Sequence, residues 1–469
     1  MNVETGMKTV DQESTILKEA RAVIDLIKGR CLNEEGHIVR LYPQKEGTIY
    51  ADFDDLVPFF LYFGEDEFIA RQIKISKEAT FHGLTVFNGK IVSWRNDEYL
   101  GALCSFYRKH PESWLKAYIE ETFDYIKKYL FYENHIIAYY DLERNKKSKI
   151  YSPWAGGLLE VFLENSDLFP EWREAALKVA DQWLQSESFK RYGLFTAKNH
   201  VNSRIFNRVN TAYKTKSRHL NHSLWNTTGY YLNRKKSFKE ASLESLFNLL
   251  FEWPTGFHFQ FMKLNSNFVF ALIEAFKVTK SKSYQQALDF WISSVKEKLY
   301  RDGFLSGDWN PVYKEHAPPR MADHFTMIDI LCDYYAFVEQ KPEYLNWAKD
   351  LADQWLMVAL PCGLYPPLLG QKVAHIDSQM DFSISLRRVG EIAGRGDYIE
   401  KGTVLFDRAL QLFRKETGFI TLVDQEGNPK KDYIEIKYNA LLLKGLINKK
   451  EIDKKIYQNP WLHDLLKDR

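Results

Sequence analysis

The chain has 469 residues, with 64 basic and 62 acidic side chains and a formal net charge of +2 at pH 7. A charge this close to zero gives no bulk attraction to nucleic acid or membrane, and no run of about 18 apolar residues is present to span a bilayer. The four cysteines, Cys31, Cys104, Cys332 and Cys362, lack metal-ligand spacing, so we expect packed, reduced thiols and no metal or other cofactor. With no apolar run at its start, the sequence predicts a soluble, cytoplasmic protein without nucleic-acid or membrane partners.

A unit of helix, glycine-led extended connection and helix recurs along the chain, and its clearest copy spans residues 343–391. Its first half, EYLNWAKDLADQWLMVAL, places apolar residues at helical spacing, which predicts an amphipathic helix. The pentapeptide ADQWL occurs at 180–184 and again at 352–356, and Gly-Leu follows each copy, at 193–194 and 363–364. A period of about 50 residues indicates repeated helical hairpins, which can exceed the roughly 250–300 residues at which a single core stops growing.

In chain order, apolar periodicity and helix-start signals predict a series of amphipathic helices. They cover residues 15–27, 52–63, 71–80, 96–107, 113–130, 170–184, 238–250, 267–278, 284–299, 324–338, 343–360, 381–394, 398–415 and 435–447, and another begins at Ser152. Glycines open the connections within the hairpins, at Gly36, Gly83, Gly193, Gly256, Gly303, Gly363 and Gly418. Residues 199–236 are a basic, polar and irregular segment. The sequence therefore predicts an all-α domain over residues 1–469, with short β-strands in its connections.

The connections of the repeat differ in length on its two sides. Those that follow the second helix of a hairpin are short, as in RKHPE, EQKPE and AGRGD, whereas those that precede it are long. One face of the repeat is therefore plain, and the other, the loop-bearing face, carries the long loops and the starts of the second helices. Because functional residues concentrate on loops held by a rigid scaffold, we expect the site on the loop-bearing face.

Carboxylates gather at the loop-bearing face. Asp52, Asp54 and Asp55 occupy three of four positions at a predicted helix start, where capping accounts for one or two of them and Asp52 with Asp55 resembles a capping box. Glycoside hydrolysis needs a neutral acid for the leaving oxygen and an ionised carboxylate as its partner. Other units offer Asp97-Glu98, Asp308, Asp323, Asp377 and Asp381. We predict catalytic residues among Asp54, Asp55, Asp308, Asp377 and Asp381, although each alone is also interpretable as a cap or a solvated loop acid.

The connection GDWNPVYKEHAPPRMADHF, residues 307–325, joins aromatic rings to hydrogen-bonding groups. Its prolines favour a fixed binding loop over a mobile lid. The alternative is an ordered surface loop whose rings pack on helices. The predicted substrate-binding residues are Trp309, His316, Asp323 and His324 from this connection, with Asp52, Trp94, Asp97 and Trp154 from other units.

Further binding residues are predicted from three helices. Arg387 lies in an otherwise apolar helix, and Tyr438 stands at the start of the last one. Asn221-His222-Ser223-Leu224-Trp225 resembles the Asn-His-x-x-Trp pattern of toroid polysaccharide lyases. That resemblance implies that Asn221 and His222 neutralise a uronate carboxyl group so that the C5 proton becomes acidic. The tyrosine that would move the proton is not assigned, and a polar helix start explains the same residues.

The helical hairpins, glycine-led turns and loop-bearing face resemble the (α/α) toroids of the six- and seven-hairpin glycosidase-like superfamily over nearly the whole chain. The resemblance implies about six to eight hairpins, with inner helices ringed by outer ones and a saccharide cleft at the N-terminal ends of the inner helices. We therefore predict a carbohydrate-active enzyme, a glycoside hydrolase that uses two carboxyl groups on an oligosaccharide. A lyase or epimerase acting by proton abstraction and a non-catalytic saccharide-binding or scaffold toroid stay open as alternatives.

Overall fold

A computed structural model gives the structure of the chain, and it describes residues 10–196, 199–201, 259–260, 265–310, 315–415, 418–431 and 433–439. The chain divides into two compact units. Unit 1 comprises Met1–Phe131, Tyr139–Lys147 and Arg320–Arg469, and unit 2 comprises Tyr132–Ala138 and Ser148–Pro319. The single domain over residues 1–469 stays a prediction. Each unit is described by itself.

Helices form most of the described chain. Those of unit 1 are α1 (Val10–Arg30), α2 (Val57–Tyr62), α3 (Asp66–Ala79), α4 (Asp97–Lys109), α5 (Ser113–Leu130), α11 (Met321–Asp333), α12 (Pro342–Leu356), α13 (Ile376–Ala393) and α14 (Gly396–Phe413). Those of unit 2 are α6 (Gly156–Glu164), α7 (Pro170–Leu184), α8 (Glu187–Tyr192), α9 (Ser266–Thr279) and α10 (Lys282–Lys298). Short 3-10 turns precede α2, α4 and α6, at Tyr50–Asp55, Ser93–Arg95 and Pro153–Ala155, and a π-turn, Tyr334–Val338, follows α11.

Short strands fill the connections between these helices. They are β1 (Val39–Tyr42), β2 (Glu46–Thr48), β3 (Val86–Phe87), β4 (Lys90–Val92), β5 (Phe131–Tyr132), β6 (His135–Ile136), β7 (Tyr139–Asp141), β8 (Lys146–Lys147), β9 (Ile150–Tyr151), β10 (Asn199–His200), β11 (Phe259–Gln260), β12 (Tyr300–Arg301), β13 (Phe304–Leu305), β14 (Asp308–Asn310), β15 (Glu315–His316), β16 (Val373–His375), β17 (Arg414–Lys415), β18 (Gly418–Phe419), β19 (Leu422–Asp424) and β20 (Ile434–Glu435). Within unit 1, β1 pairs with β20, which joins the start of the chain to its last described segment.

The two ADQWL helices, α7 and α12, show how the repeat builds its core. Each begins with a proline, Pro170 or Pro342, in the first turn, where the missing N–H costs no intrahelical bond. Each then buries its predicted apolar stripe, which ends in the fully buried Trp183 or Trp355. The predicted pattern of amphipathic helices is confirmed in both.

The prediction of a helix over residues 52–63 is wrong for the first half of that range. Residues Tyr50–Asp55 form a 3-10 turn in which Asp52 has non-helical angles (φ −127°, ψ 32°), and α2 begins only at Val57. The capping-box interpretation of Asp52 fails with it, because no side chain caps the start of this turn. Pro58 lies in the first turn of α2, where its missing N–H costs no intrahelical bond.

Side-chain amides hold the glycine-led connections against the helix that follows. In each case the amide oxygen accepts a hydrogen bond from a backbone N–H, and the amide nitrogen donates to the carbonyl of the same residue, just after the turn glycine. These amide clamps join Asn265 to Phe195 (2.7 and 2.9 Å), Gln379 to Tyr365 (2.9 and 2.8 Å) and Asn439 to Phe419 (3.0 and 2.9 Å). They supply partners to backbone groups that no strand ladder satisfies.

Two turn glycines are required by both conformation and space. Gly83 (φ +79°) and Gly193 (φ +66°) adopt left-handed angles that favour glycine. A Cβ at Gly83 would lie 2.0 Å from Thr122 Oγ1 on α5, and a Cβ at Gly193 would lie 2.0 Å from Ser294 Oγ on α10. The glycine of the turn therefore lets the connection pass against a neighbouring helix.

All four cysteines are buried and unbridged, as packed thiols are. Within the described ranges, no helix has both the length and the apolarity needed to cross a membrane.

We expect Asn439→Ala to lower the free energy of unfolding by about 1–3 kcal/mol, because it leaves the buried backbone N–H and carbonyl of Phe419 without their partner. Urea denaturation measures this, with the exposed Asn134→Ala as the matched control, expected to change stability by about 0.5 kcal/mol or less. Equal effects of the two substitutions would contradict the clamp's role.

Candidate active site

The candidate active site lies in unit 1 and is built from three segments that are distant in sequence. The 3-10 turn Tyr50–Asp55 supplies three aspartates, and the first turn of α4 supplies Asp97 and Glu98. The last described segment, helical over residues 436–439, supplies Lys437. Pairing of β1 with β20 sets this last segment beside the start of the chain, with Leu41 opposite Glu435.

Lys437 is the ion-pairing partner of carboxylates from both other segments. Its Nζ donates a hydrogen bond to Asp52 Oδ1 at 2.5 Å. The same nitrogen lies 3.7 Å from Asp55 Oδ2 and 3.7 Å from Glu98 Oε2. Although burial alone would lower it, the negative charges of Asp55, Glu98 and Asp52 hold the pKa of Lys437 above its ordinary range. We call Asp52, Asp54, Asp55, Asp97, Glu98 and Lys437 the acid–lysine cluster.

Glu98 is the carboxyl group of this cluster that burial most strongly keeps protonated. Burial is the largest cause, and the charges of Asp54, Asp52 and Asp55 add to it against the opposing charge of Lys437, so the pKa of Glu98 rises far above its ordinary value of 4.5. Its Oε2 is buried and accepts no hydrogen bond from the described residues. A protonated carboxyl group beside ionised ones is therefore the main chemical feature of the cluster.

Asp97, the neighbour of Glu98, shares part of this environment. Burial raises the pKa of Asp97 to about 6, while hydrogen bonds from its own backbone N–H and that of Glu98 oppose the rise. These backbone contacts place Asp97 in the first turn of α4, where a carboxylate complements the helix dipole. Asp97 therefore lies in the cluster that the sequence predicted, but its backbone hydrogen bonds are those of a helix-start residue.

A second group of titratable residues forms where β16 meets α13. His375 Nδ1 is hydrogen-bonded to Asp377, and the His375 ring lies edge-on to that of Tyr438, with centroids 5.0 Å apart. Burial would raise the pKa of Asp377, but hydrogen bonds from His375 and Ser378 hold it below its ordinary value. Burial, with the charges of Asp377 and Glu435, raises the pKa of Tyr438. Since Tyr438 follows Lys437 directly, this group adjoins the acid–lysine cluster.

Other predicted site residues of unit 1 lie apart from these contacts. Asp323 and His324 are fully buried on α11, where Asp323 accepts from Arg320 Nε at 2.9 Å and the His324 ring lies 4.6 Å from that of Trp355. Burial lowers the pKa of His324 to about 4. The structure thus places both residues in the core and not on an exposed platform.

Three more predicted residues of unit 1 are half-buried. Arg387, on α13, has its guanidinium over the Phe406 ring of α14, 5.7 Å from the centroid. Its neighbour Arg388 forms ion pairs with Asp329 and Asp333 of α11. Asp381 lies one turn beyond Asp377 on α13, and Trp94 lies in the 3-10 turn Ser93–Arg95 before α4.

The remaining predicted residues belong to unit 2 or lie outside the described residues. Asp308 and Trp309 are in β14, which pairs with His316 of β15 and with β11. The Trp309 ring lies edge-on to Tyr192, with centroids 6.1 Å apart. Trp154 is half-buried in the 3-10 turn that Ser152 caps. Asn221 and His222 lie outside the described residues.

Glu98 and Lys437 are the two members of the cluster that were not among the predicted site residues. Each directly neighbours a predicted one, Asp97 or Tyr438, and each stands at a predicted helix start on the loop-bearing face. That position was the available signal. Their ion pairs join residues that are far apart in sequence, so spacing could not predict them. The burial that raises the pKa of Glu98 depends on the same distant residues.

The described residues contain no group of three or more His, Cys, Asp or Glu side chains arranged to hold a metal ion.

No protein-family model and no curated protein matches the sequence. Solved structures do resemble it. An α-1,2-mannosidase from Trichoderma reesei matches with a TM-score of 0.62 at 12% identity, over 93% of this chain and 92% of that one. A D-mannose isomerase matches with a TM-score of 0.57 at 8% identity, over 96% and 100% of the two chains. A cellobiose 2-epimerase from Bacillus thermoamylovorans matches with a TM-score of 0.55 at 12% identity, over 80% and 92%.

These likenesses confirm the predicted fold. The chain has a mainly helical (α/α) toroid fold, as these structures do. Because one fold hosts many reactions, the function has to be argued from the site.

We expect Glu98→Gln to change how stability depends on pH. Because the folded pKa of Glu98 lies above the unfolded value near 4.5, the wild type loses stability as the pH rises from that value toward the folded pKa. The glutamine variant has no such proton, so its melting temperature relative to wild type should increase from about pH 4.5 into the alkaline range. Thermal melts across pH measure this, with the exposed Glu171→Gln on α7 as the matched control. A pH-independent difference for Glu98→Gln would contradict the raised pKa.

Proposed function

We propose that the chain is a carbohydrate-active enzyme, a glycoside hydrolase in which Glu98 is the general acid and Asp55 is its ionised partner. One observation carries the proposal: burial and neighbouring aspartates keep Glu98 protonated, while the Lys437 ammonium lies 3.7 Å from Asp55. Two carboxyl groups whose environments favour opposite protonation states mark an acid and a base. The proposed substrate is an oligosaccharide.

The positions of the two carboxyl groups support this assignment. Asp55 Oδ2 and Glu98 Oε2 each lie 3.7 Å from the same Lys437 Nζ, so the two oxygens are separated by no more than twice that distance. This bound is compatible with the spacings of about 5–9.5 Å between paired carboxyl groups in glycosidases. Glu98 has a side chain one-third exposed, which leaves it accessible to a ligand.

The reaction follows from these roles. Glu98 gives its proton to the glycosidic oxygen as the bond from that oxygen to the anomeric carbon breaks, so the leaving sugar departs as an alcohol. Asp55 then either attacks the anomeric carbon or takes a proton from the water that attacks it. One water is consumed and two saccharides are released. Asp54, whose charge raises the pKa of Glu98, helps to keep the acid protonated.

The solved structures support the broader part of the proposal, that the substrate is a sugar. An α-1,2-mannosidase, a D-mannose isomerase and cellobiose 2-epimerases share the fold, and all are named for activities on sugars. We therefore propose a saccharide as the substrate. The cytoplasmic location stays a prediction.

Leaving-group dependence tests the role of Glu98. On manno- and gluco-oligosaccharides, Glu98→Gln should reduce kcat about 10²–10⁴-fold because no proton reaches the departing oxygen. On 2,4-dinitrophenyl glycosides of the same sugars the loss should be much smaller, because that leaving group needs no proton. Steady-state kinetics on the two substrate series measures the contrast.

Two further variants sharpen that experiment. Asp55→Asn should reduce kcat on both substrate series, since its role does not depend on the leaving group. Glu171→Gln, on the exposed face of α7, should match the wild type. An equal loss on both series for Glu98→Gln would overturn its assignment as the acid, and hydrolysis unaffected by either site variant would overturn the proposed function.

A sugar isomerase or epimerase is a second candidate, favoured by the His375–Asp377 pair beside Tyr438. A carboxylate that holds Nδ1 of an imidazole orients the ring and stabilises its protonated form, as a base at a carbon next to a carbonyl requires. The D-mannose isomerase and the cellobiose 2-epimerases of the same fold make this reaction class relevant.

Deuterium incorporation separates the second candidate from the first. Incubation of mannose, glucose, fructose and cellobiose in D₂O, followed by NMR, should show no exchange at C2 if the chain is a hydrolase. Exchange that His375→Asn abolishes and Glu98→Gln leaves intact would favour the isomerase or epimerase and contradict the hydrolase.

A further inference from the structure

We propose that Lys437 is a positioning residue that determines which carboxyl groups of the acid–lysine cluster hold protons. The proposal deepens the proposed function, in which Glu98 gives a proton and Asp55 stays ionised. Lys437 itself is not placed on the substrate. It acts through the carboxyl groups around it.

One of the three distances from Lys437 Nζ is much shorter than the other two, and this difference defines its role. The hydrogen bond to Asp52 at 2.5 Å fixes the ammonium, whereas Asp55 and Glu98, both at 3.7 Å, lie beyond hydrogen-bonding distance. Asp52 therefore anchors the charge, and Asp55 and Glu98 experience its field. An opposite charge within about 4–6 Å favours the ionised form of a carboxyl group, typically by 1–3 pKa units.

Each segment of the site carries titratable groups. The 3-10 turn Tyr50–Asp55 has three carboxylates, α4 has two, and the segment that carries Lys437 adds Glu435 and Tyr438. Burial and the charges of Asp54, Asp52 and Asp55 oppose the ionisation of Glu98, and together they outweigh the single ammonium. Lys437 therefore lies beside Asp52 and Asp55, while the surroundings of Glu98 keep its proton in place.

The backbone around Lys437 is fixed independently of the cluster. Asn439, two residues further, clamps Phe419 and also donates to the carbonyl of Glu435 at 3.1 Å. The strand before it, β20, pairs with β1. The position of Nζ is therefore set by anchors at the backbone and by Asp52 at the tip, as a positioning residue requires.

The first test is the pH dependence of kcat/KM for oligosaccharide hydrolysis by Lys437→Met and Lys437→Arg. Without the ammonium, Asp55 accepts a proton more readily, so the acid limb of the Met variant should move to higher pH by about 1–3 units. At a pH on this acid limb, each pH unit of that shift lowers kcat/KM about tenfold. Arginine keeps the charge and should retain the wild-type acid limb.

A second test needs no activity. In Lys437→Met the carboxyl groups of Asp52, Asp55 and Glu98 lose the ammonium, so repulsion among the carboxylates of the cluster grows as they ionise, and stability is lost as the pH rises above about 4. The melting temperature of the Met variant relative to wild type should therefore fall progressively from acidic to neutral pH. Should this variant fold poorly, Asp52→Asn combined with Lys437→Met removes one unpaired charge and keeps the measurement possible.

The outcomes separate the two proposals. A pH-dependent stability loss in the Met variant but not in the Arg variant supports the role of Lys437. If the wild type hydrolyses no saccharide, only the proposed hydrolase function is overturned. An equal, pH-independent loss in both variants overturns the inference, since a purely structural lysine predicts that result. An unshifted acid limb in an active Lys437→Met enzyme overturns it as well.

Discussion

The ion pair between Lys437 and Asp52 is the interaction on which the rest of the site depends. It joins residues 385 positions apart and brings the first and last described repeats of unit 1 to one place. Lys437 is half-buried, so its ammonium is stabilised by the carboxylates that pair with it, and those carboxylates are stabilised by the ammonium. The ammonium and the aspartates therefore require each other, and their balance leaves Glu98 as the carboxyl group that keeps its proton.

The repeat explains how so polar a cluster is held. Turn glycines such as Gly83 and Gly193 let connections pass close to neighbouring helices, and amide clamps such as that of Asn439 tie a turn to the next helix start. These helix starts therefore occupy defined positions, and the first turn of α4 lies close enough to residues 436–439 for Glu98 to approach Lys437. Strand pairing of β1 with β20 supplies the remaining constraint on Lys437. Rigid supports of this kind keep charged groups in place without substrate.

Much of the fold follows from the sequence, because apolar periodicity is a local signal. The apolar stripes of α7 and α12 were readable from it, and the toroid was implied by the resemblance of the helical hairpins to known (α/α) toroids. The clustering of Asp54 and Asp55 at the loop-bearing face was readable too. The partner of Asp52 was not, since it lies at the other end of the chain, and neither were the surroundings that raise the pKa of Glu98. His324 lay beyond local reasoning as well, because whether a polar residue in a mostly buried helix faces a site or a tryptophan depends on the neighbouring helix.

The central claim is that Glu98 is protonated at neutral pH beside ionised aspartates, and infrared difference spectroscopy tests it most directly. The spectrum of wild type minus Glu98→Gln should contain the carbonyl stretch of a protonated carboxylic acid at neutral pH, and that band should shift on exchange into D₂O. A difference spectrum that contains carboxylate bands in its place would show that Glu98 is ionised. It could not then be the acid, and the account given for Lys437 and Asp55 would fail with it.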